Sequence, residues 1–351
     1  MTQYRILDND QQKRLVSLGY NYSFCKQTGF FARWGTTPQD DPEWCRFGPE
    51  LLDIEISTVC HQGCRFCYKG NGVSGVNMSL QTLTRILDLM PPTLTQVAYG
   101  IGDVDGNPEL FDILRATWDR GIVPNITING YRMQPEQYRQ LADLCGAVSV
   151  SCYDRDVCFD AVERLIQAGL QQVNIHQLAS EETYQDCLDL LDAAHRDPRL
   201  QGMRAIVLLQ LKPVGRGQDL TPLRNVGKYK TLAERALQHN VGLGFDSCSA
   251  ALFLKAMEDH PARKLFEMLA EPCESSLFSL YCSAEAKAYP CSFLERNFEG
   301  IDLMAAEDFI RDVWQEPRLV KWREELLATQ TGGLVEGCRQ CPAYNLYRET
   351  T

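Results

Sequence analysis

The strongest constraint on the fold is an alternation of short apolar runs with amphipathic segments between residues 51 and 246. This alternation is typical of repeated βα units. It predicts strands at 51–56, 96–101, 123–128, 147–152, 172–177 and 203–211, with helices between them that include 108–118, 135–144 and 183–195. Units repeated in this way predict an α/β fold with a partial (β/α)6 barrel of the TIM type. A doubly wound sheet is the alternative, but the Gly-rich dinucleotide turn is missing after the first strand.

Three cysteines lie close together in the loop after the first predicted strand. Cys60, Cys64 and Cys67 have the spacing C-x3-C-x2-C. Three thiolates on one loop can bind three irons of a cubane 4Fe–4S cluster, and the fourth iron then stays open, as a catalytic metal requires. Structural zinc is the alternative, with Cys338 and Cys341 completing the site, although such sites usually pair two C-x2-C turns.

The same cysteines, with the aromatic Phe66 just before the last of them, resemble the signature of the radical SAM superfamily (SAM, S-adenosylmethionine). The resemblance implies that Cys60, Cys64 and Cys67 bind a 4Fe–4S cluster whose open iron chelates the amino and carboxylate groups of SAM. It also implies an external one-electron donor, such as a flavodoxin or ferredoxin, and cleavage of SAM to a 5′-deoxyadenosyl radical. The predicted partial barrel is the core of that family's fold.

Residues at the carboxyl ends of the predicted strands are candidates for SAM binding, because these ends form the working face of a parallel barrel. Where the family commonly has Gly-Gly-Glu after strand two, this chain has Gly-Ile-Gly-Asp, and the end of strand three resembles the family's Thr-x-Asn-Gly. The resemblance therefore assigns to cofactor binding Phe66, Gly100, Gly102, Asp103, Thr127, Asn129, Ser151 and Gln177. An ordinary glycine-containing turn is the alternative for the stretch after strand two.

Four further polar residues lie in or just after the predicted strands. His176 is a candidate acid or base, or else a hydrogen-bonded residue of the barrel. Lys212 is a candidate contact for a substrate anion, with a solvated lysine as the default. Asp53 and Glu55 alternate along strand one and so share a face. They line the substrate pocket or form buried ion pairs, and in either case they need partners or raised pKa values.

A second set of cysteines follows residue 247, where the βα alternation stops. Cys273, Cys291, Cys338 and Cys341 resemble the ligands of the auxiliary-cluster domains called SPASM and twitch. The resemblance implies that these cysteines bind an auxiliary 4Fe–4S cluster, and a four-thiolate zinc site is the alternative. Cys282, within an apparent strand of the hairpin, is predicted to be a core thiol.

Two other expectations concern this C-terminal part. Cys248 is the candidate catalytic residue, as a hydrogen-atom donor near the substrate. A metal ligand and a small buried residue are its alternatives. A helix is expected within 309–327, broken near Pro317 because proline cannot continue a helix. Its buried residues are predicted to be Phe309, Val313, Leu319 and Trp322.

Composition bounds the class of protein. The 351 residues carry 15 cysteines and a formal net charge of −11. Nucleic-acid binding needs a basic face, so a small molecule, peptide or protein is favoured over RNA or DNA. No apolar run approaches the roughly 18 residues that span a membrane, and the first residues do not resemble a secretory signal. We therefore expect a cytoplasmic protein whose cysteines are reduced or metal-bound.

Three regions are expected along the chain. Residues 1–50 are rich in aromatic residues and predict a short β extension that packs on the barrel, with Cys25 and Cys45 as ordinary thiols. Residues 51–246 form the barrel, and residues 247–351 form the auxiliary-cluster domain. The predicted function is that of a radical SAM enzyme, an oxidoreductase that modifies a peptide or protein. A small-molecule dehydrogenase, a non-catalytic iron–sulfur or zinc protein and, third, a nucleic-acid modifier are the alternatives.

Overall fold

The computed structural model describes residues 4–37, 40, 42–329, 339–344 and 346. The chain begins with an antiparallel sheet of four strands, β1 Arg5–Asp8, β2 Gln12–Val16, β3 Asn21–Cys25 and β4 Phe31–Trp34. Tyr22 is fully buried on this sheet, and its hydroxyl donates to the Thr93 carbonyl 2.9 Å away. Lys13 donates to the neighbouring Leu94 carbonyl. The expected β extension therefore exists, and it packs against the loop that leads into the second barrel strand.

A largely parallel sheet forms the centre of the molecule. Its parallel strands are β5 Leu51–Ser57, β6 Gln96–Ile101, β7 Val123–Ile128, β8 Ala147–Ser151, β9 Val173–Ala179, β10 Ala205–Gln210 and the short β11 Leu243–Phe245. They lie side by side in chain order. The helices between them are α1 Leu80–Leu89, α2 Leu110–Trp118, α3 Pro135–Leu144, α4 Arg155–Gln167, α5 Tyr184–Arg196 and α6 Val226–His239. The predicted α/β fold with a partial TIM-type barrel is confirmed, and each predicted strand is present.

Local sequence explains where several of these helices begin. The Ser79 hydroxyl accepts a hydrogen bond from the Thr82 amide and caps α1, and Asp154 caps α4 by accepting from the Val157 amide. Such caps satisfy amide groups that the first turn of a helix leaves without a partner. Pro135 occupies the first turn of α3, where the missing N–H costs nothing.

The C-terminal part extends the same sheet. Helices α7 Ala250–Ala256 and α8 Arg263–Leu269 precede strands β12 Ser279–Cys282, β13 Lys287–Tyr289 and β14 Ile301–Asp302. Strand β12 pairs in parallel with β5, while β13 and β14 continue antiparallel. The sheet therefore runs β11-β10-β9-β8-β7-β6-β5-β12-β13-β14. The division at residue 246 stays a prediction, since the hairpin shares a sheet with the barrel.

The expected broken helix is confirmed. A π-helical turn spans Ile310–Trp314, and α9 Pro317–Ala328 begins at the proline, with Glu316 as its cap. The residues predicted to be buried are all in the core: Phe309, Val313, Leu319 and Trp322.

One apolar core underlies both the barrel and the hairpin. It contains Leu52 and Ile54 of β5 together with Leu280 and Cys282 of β12. Cys282 is fully buried there, as predicted. Cys45 is buried too, in a smaller cluster that joins the N-terminal sheet to Phe278. No helix in the described part of the chain is long and apolar enough to cross a membrane.

Candidate active site

The three clustered cysteines lie on an irregular loop between β5 and α1. The Cys60 amide donates to the Gly72 carbonyl at 3.0 Å, and the Cys67 amide donates to the Cys64 carbonyl at 3.2 Å. The three thiols are half-buried. Because β5 is a barrel strand and the loop follows its carboxyl end, the thiols lie at the working face of the barrel.

Burial, neighbouring charges and backbone hydrogen bonds all act on the pKa values of Cys60 and Cys64. Burial raises the pKa of Cys64, and the charges of Cys60 and Cys67 raise it further. Burial likewise raises the pKa of Cys60, against hydrogen bonds from the backbone at Gln62 and Gly63. The Gly70 amide donates to the Cys67 sulfur at 3.3 Å. Half-buried sulfurs that accept backbone N–H groups suit an iron–sulfur cluster, whose potential depends on such hydrogen bonds.

Within the described residues, no group of three or more His, Cys, Asp or Glu side chains converges as a single metal ion requires. A cubane cluster makes a different demand, because each cysteine binds its own iron at a separate corner.

Asp103 joins three segments of the site. Its side chain is fully buried. One carboxylate oxygen accepts from the His61 amide (2.8 Å), His61 Nδ1 (2.6 Å) and Arg132 (3.0 Å), and the other accepts from Asn129 (2.7 Å). Burial raises the pKa of Asp103, but these hydrogen bonds and the Arg132 charge outweigh it, so the pKa lies below its ordinary value. An ionised Asp103 therefore holds the residue next to Cys60.

Gly102 permits the close approach of β6 to the cysteine loop. A Cβ atom at this position would lie 2.3 Å from the Val59 carbonyl oxygen and 2.6 Å from Cys60 Cβ. Asn129 also donates to the Gly102 carbonyl at 2.8 Å. The structure thus brings together three predicted residues, Gly102, Asp103 and Asn129, around Cys60. Their direct contact with SAM stays a prediction.

The other predicted SAM residues lie on adjacent barrel strands. Gly100 pairs with Thr127 across β6 and β7, while Ser151 ends β8 and is 8% exposed. Gln177 is buried in β9 and donates to the Leu178 carbonyl. Phe66 contacts the Tyr153 ring, with 5.2 Å between ring centroids. Their roles stay predictions.

Arg216, which the sequence analysis missed, joins the loop after β10 to the cysteine loop by hydrogen bonds. Its amide donates to the Cys67 carbonyl, and its side chain donates to the Cys64 and Asn71 carbonyls, each at 3.0 Å. Gly215 has φ +65°, and a Cβ there would lie 2.2 Å from the Tyr68 carbonyl oxygen. The Gly-Arg-Gly sequence after the sixth predicted strand was the available signal.

The paired acids of strand one interact with a lysine of the cysteine loop. Lys69 lies 2.9 Å from Glu55 and 2.6 Å from Glu295. Burial raises the pKa of Asp53 to about 7 and also raises that of Glu55, while the Lys69 charge opposes both shifts. Glu55 therefore has the expected ion-pair partner, and both acids have the expected raised pKa values.

The structure gives the charge state of His176 and the surroundings of Lys212. Burial lowers the pKa of His176 to about 4, so its ring is neutral near pH 7. The default of a solvated Lys212 is wrong: the side chain is 3% exposed and forms an ion pair with Asp246. Sequence spacing does not reveal this burial, because Asp246 comes from the end of the neighbouring strand.

The second cysteine set surrounds a cavity. Its lining includes Cys248, Cys273, Cys291 and Cys341. The remaining described lining residues are Lys212, Ser275, Phe293, Leu294, Trp322, Tyr344 and Leu346. Cys338, the other predicted ligand, lies outside the described residues.

Specific hydrogen bonds bring these cysteines together. The Ser275 hydroxyl, two residues after Cys273, donates to the Pro290 carbonyl beside Cys291 at 2.7 Å. The Tyr344 hydroxyl donates to the Phe293 carbonyl at 2.7 Å and so holds the Cys341 turn against the same cavity. The donor set suits an iron–sulfur cluster, which takes thiolate ligands.

Burial keeps these thiols protonated when no metal centre is bound. It raises the pKa of Cys273 to about 11 and that of Cys291 to about 12. Binding a metal centre therefore requires that protons be displaced from these thiols.

Comparison with known proteins gives a family match over part of the chain and a set of similar folds. Residues 54–215 match the model of the Radical SAM superfamily. The fold resembles Streptococcus suis SuiB bound to S-adenosylmethionine, with a TM-score of 0.63 and 15% identity over 82% of this chain and 71% of that chain. SuiB bound to precursor peptide SuiA gives a TM-score of 0.63 and 14% identity over 79% of this chain and 67% of that chain. Native anSMEcpe with bound AdoMet and Cp18Cys peptide gives a TM-score of 0.54 and 11% identity over 78% of this chain and 82% of that chain. No curated protein matches the chain.

Proposed function

We propose that this chain, whose residues 54–215 match the model of the Radical SAM superfamily, is an enzyme that cleaves SAM reductively and modifies a peptide or protein by oxidation. Cys60, Cys64 and Cys67 would hold the 4Fe–4S cluster. When bound, this cluster and SAM supply a 5′-deoxyadenosyl radical, which removes a hydrogen atom from an unactivated carbon, a reaction beyond side-chain acids and bases. The observation that supports this proposal most strongly is the loop after the carboxyl end of β5, which carries three half-buried cysteines with the spacing C-x3-C-x2-C.

The surrounding side chains position this loop. Asp103 holds the backbone at His61, and Arg216 holds the carbonyls of Cys64 and Cys67. Hydrogen bonds that orient metal ligands without touching the metal are important for affinity. Their loss typically lowers metal affinity by about 10–100-fold. We propose that Gly100, Thr127, Ser151 and Gln177, with Asn129, contact SAM from the adjoining strand ends.

A second metal centre is proposed in the C-terminal cavity. Cys273, Cys291 and Cys341 line it, and Cys338 is the predicted fourth ligand. When bound, an auxiliary 4Fe–4S cluster there would accept the electron that a substrate radical loses, which favours net oxidation. Cys248 lines the same cavity, and its role as a hydrogen-atom donor stays a prediction.

The proposed substrate class is a peptide or protein. Two of the structurally similar proteins, SuiB and anSMEcpe, were solved with peptides bound. The net charge of −11 is consistent with such a substrate and disfavours nucleic acid. An external one-electron donor is proposed as the second partner.

The decisive experiment measures iron, sulfide and 5′-deoxyadenosine after anaerobic reconstitution. We expect about eight irons per chain, and about four when Cys60, Cys64 and Cys67 are all replaced by alanine. The unsubstituted protein should form 5′-deoxyadenosine from SAM and dithionite, and the triple variant should form none. Cys25→Ala, which removes a thiol of the N-terminal sheet, is the control. Zinc without iron in both proteins would overturn the proposal.

A second experiment tests the substrate class. Deuterated peptides and deuterated small alcohols are supplied separately, and deuterium in 5′-deoxyadenosine is measured by mass spectrometry. Transfer from a peptide supports the proposal, whereas transfer from small alcohols alone would show a small-molecule dehydrogenase.

A further inference from the structure

A buried lysine, Lys212, lines the cavity that the second cysteine set surrounds. Lys212 lies two residues past the end of β10, is 3% exposed and forms an ion pair with Asp246. Among the described residues, Lys212 lines the cavity with the cysteines and Asp246 does not. Of the two residues of the pair, the positive one therefore lies nearer to the cavity.

Several contacts fix this charge in place. The Asp246 carboxylate accepts hydrogen bonds from the Gln210 amide (3.2 Å), the Ser249 amide (3.2 Å) and the Ser249 hydroxyl (2.6 Å). Lys212 Nζ lies 4.6 Å from the centroid of the Phe293 ring. Phe293 follows Cys291 by two residues, and its amide donates to the Cys291 sulfur at 3.5 Å. The ammonium group is thus held against the segment that supplies a predicted ligand.

A buried ion pair is weak grounds for stability, because removing two charges from water offsets most of their attraction. Its orientation suggests another role. We propose that Lys212 raises the reduction potential of the auxiliary cluster and so makes it a better electron acceptor. The proposal rests on the proposed function, because it requires a cluster in this cavity.

The sign follows from charge. A substrate radical that is oxidised loses one electron and releases a proton, and the cluster that takes the electron gains one negative charge. A fixed positive charge stabilises the reduced, more negative form more strongly than the oxidised form, and a low dielectric constant enlarges the difference. Lys212 is therefore a tuning residue that acts on the cluster through its charge.

The test uses the full-length chain with Cys60, Cys64 and Cys67 replaced by alanine, so that only the auxiliary cluster remains. Its potential is measured in an anaerobic dithionite titration followed by electron paramagnetic resonance. Lys212→Met should shift the potential to a more negative value, and Lys212→Arg should stay close to the parent. The control is Lys264→Met on α8, because Lys264 is exposed and its charge is screened by solvent.

Lys212→Met leaves the partly buried Asp246 carboxylate without its cation, and this can impair folding. The double variant Lys212→Met/Asp246→Asn removes both charges and should still shift the potential negative, because the nearer charge is the positive one. If the reduction potentials of both Lys212 variants equal that of Lys264→Met, or are more positive, the inference about Lys212 is wrong and the proposed auxiliary cluster still stands. A parent protein without iron would overturn the inference together with the auxiliary cluster itself.

Discussion

The Asp103 carboxylate connects the end of β6, the cysteine loop and the segment after β7. It accepts hydrogen bonds from His61, Asn129 and Arg132, so both of its oxygens already have protein partners. Asp103 occupies the position of the glutamate in the family's Gly-Gly-Glu motif, and this resemblance predicted that Asp103 contacts SAM. The geometry adds a positioning role, because Asp103 holds the backbone of the residue that follows Cys60.

Asp103→Asn is expected to weaken the binding of the cluster about tenfold or more. Loss of a hydrogen bond that orients a metal ligand typically has an effect of this size. Asparagine keeps one acceptor oxygen but replaces the other with a donor, so the His61 amide and Arg132 lose their acceptor. The measurement is the rate at which a chelator removes iron from the SAM-free protein. Asp105→Asn is the control, because Asp105 is 56% exposed and lies 3.8 Å from the same arginine. An unchanged rate with a reduced SAM affinity would instead support direct contact between Asp103 and SAM.

Gly102→Ala is expected to displace the cysteine loop and destabilise the protein by about 1–3 kcal/mol, the usual cost of overpacking. The new methyl group meets the Val59 carbonyl at 2.3 Å, and backbone cannot rotate away as a side chain can. The checks are urea unfolding and iron content. Gly72→Ala in the same loop is the matched control, since a Cβ there meets nothing within 4 Å. Equal iron content and stability in both variants would contradict the packing argument.

At the scale of elements, strand ends and helix starts organise the site. The loop of residues 58–79 leaves β5 and returns through Ser79, which caps α1. The cap thus fixes the far end of the segment that carries Cys60, Cys64 and Cys67. Strand β12 covers the other edge of β5, which would otherwise present unpaired backbone groups.

Ser79→Ala is expected to lower the free energy of unfolding by about 1 kcal/mol, because the Thr82 amide loses its acceptor. Chemical denaturation measures the change. Ser74→Ala, at an exposed position of the same loop, should change stability little. A cost at Ser74 equal to that at Ser79 would show that the cap is not the cause.

At the scale of the whole molecule, the two thiol sites share one scaffold. Lys212 and Cys248 follow barrel strands, Cys273 and Cys291 flank the hairpin strands β12 and β13, and Cys341 lies beyond α9. The second cavity therefore forms only when the C-terminal segments pack on the barrel. Stability of the barrel and integrity of this cavity should be coupled.

The pH dependence of stability tests how deeply the barrel buries its ionisable groups. Burial lowers the pKa of His176 from 6.5 to about 4. The folded state binds this proton more weakly than the unfolded state, so stability falls as pH drops from about 6.5 toward about 4. Between pH 7.5 and pH 5 the contribution of His176 should fall by about 2 kcal/mol. Urea unfolding of His176→Gln should show this much less acid sensitivity than the unsubstituted protein, and equal slopes would contradict the assignment.

Much of the architecture was predictable from local pattern. Hydrophobic period is a property of neighbouring residues, so the alternation of strands and helices, the break at Pro317 and the cysteine loop could all be identified from the sequence. The spacing of Cys60, Cys64 and Cys67 predicted the family whose model matches residues 54–215.

The sequence by itself determined which elements form and which loop carries the cluster cysteines, because both depend on residues close together in the chain. Only the tertiary structure decided that Asp103 meets His61 and Arg132, that Arg216 fastens the cysteine loop and that Lys212 is buried beside the second set of thiols. These contacts join segments far apart in the chain. They depend on how strands stack and loops fold over them, and neither period nor spacing encodes that arrangement.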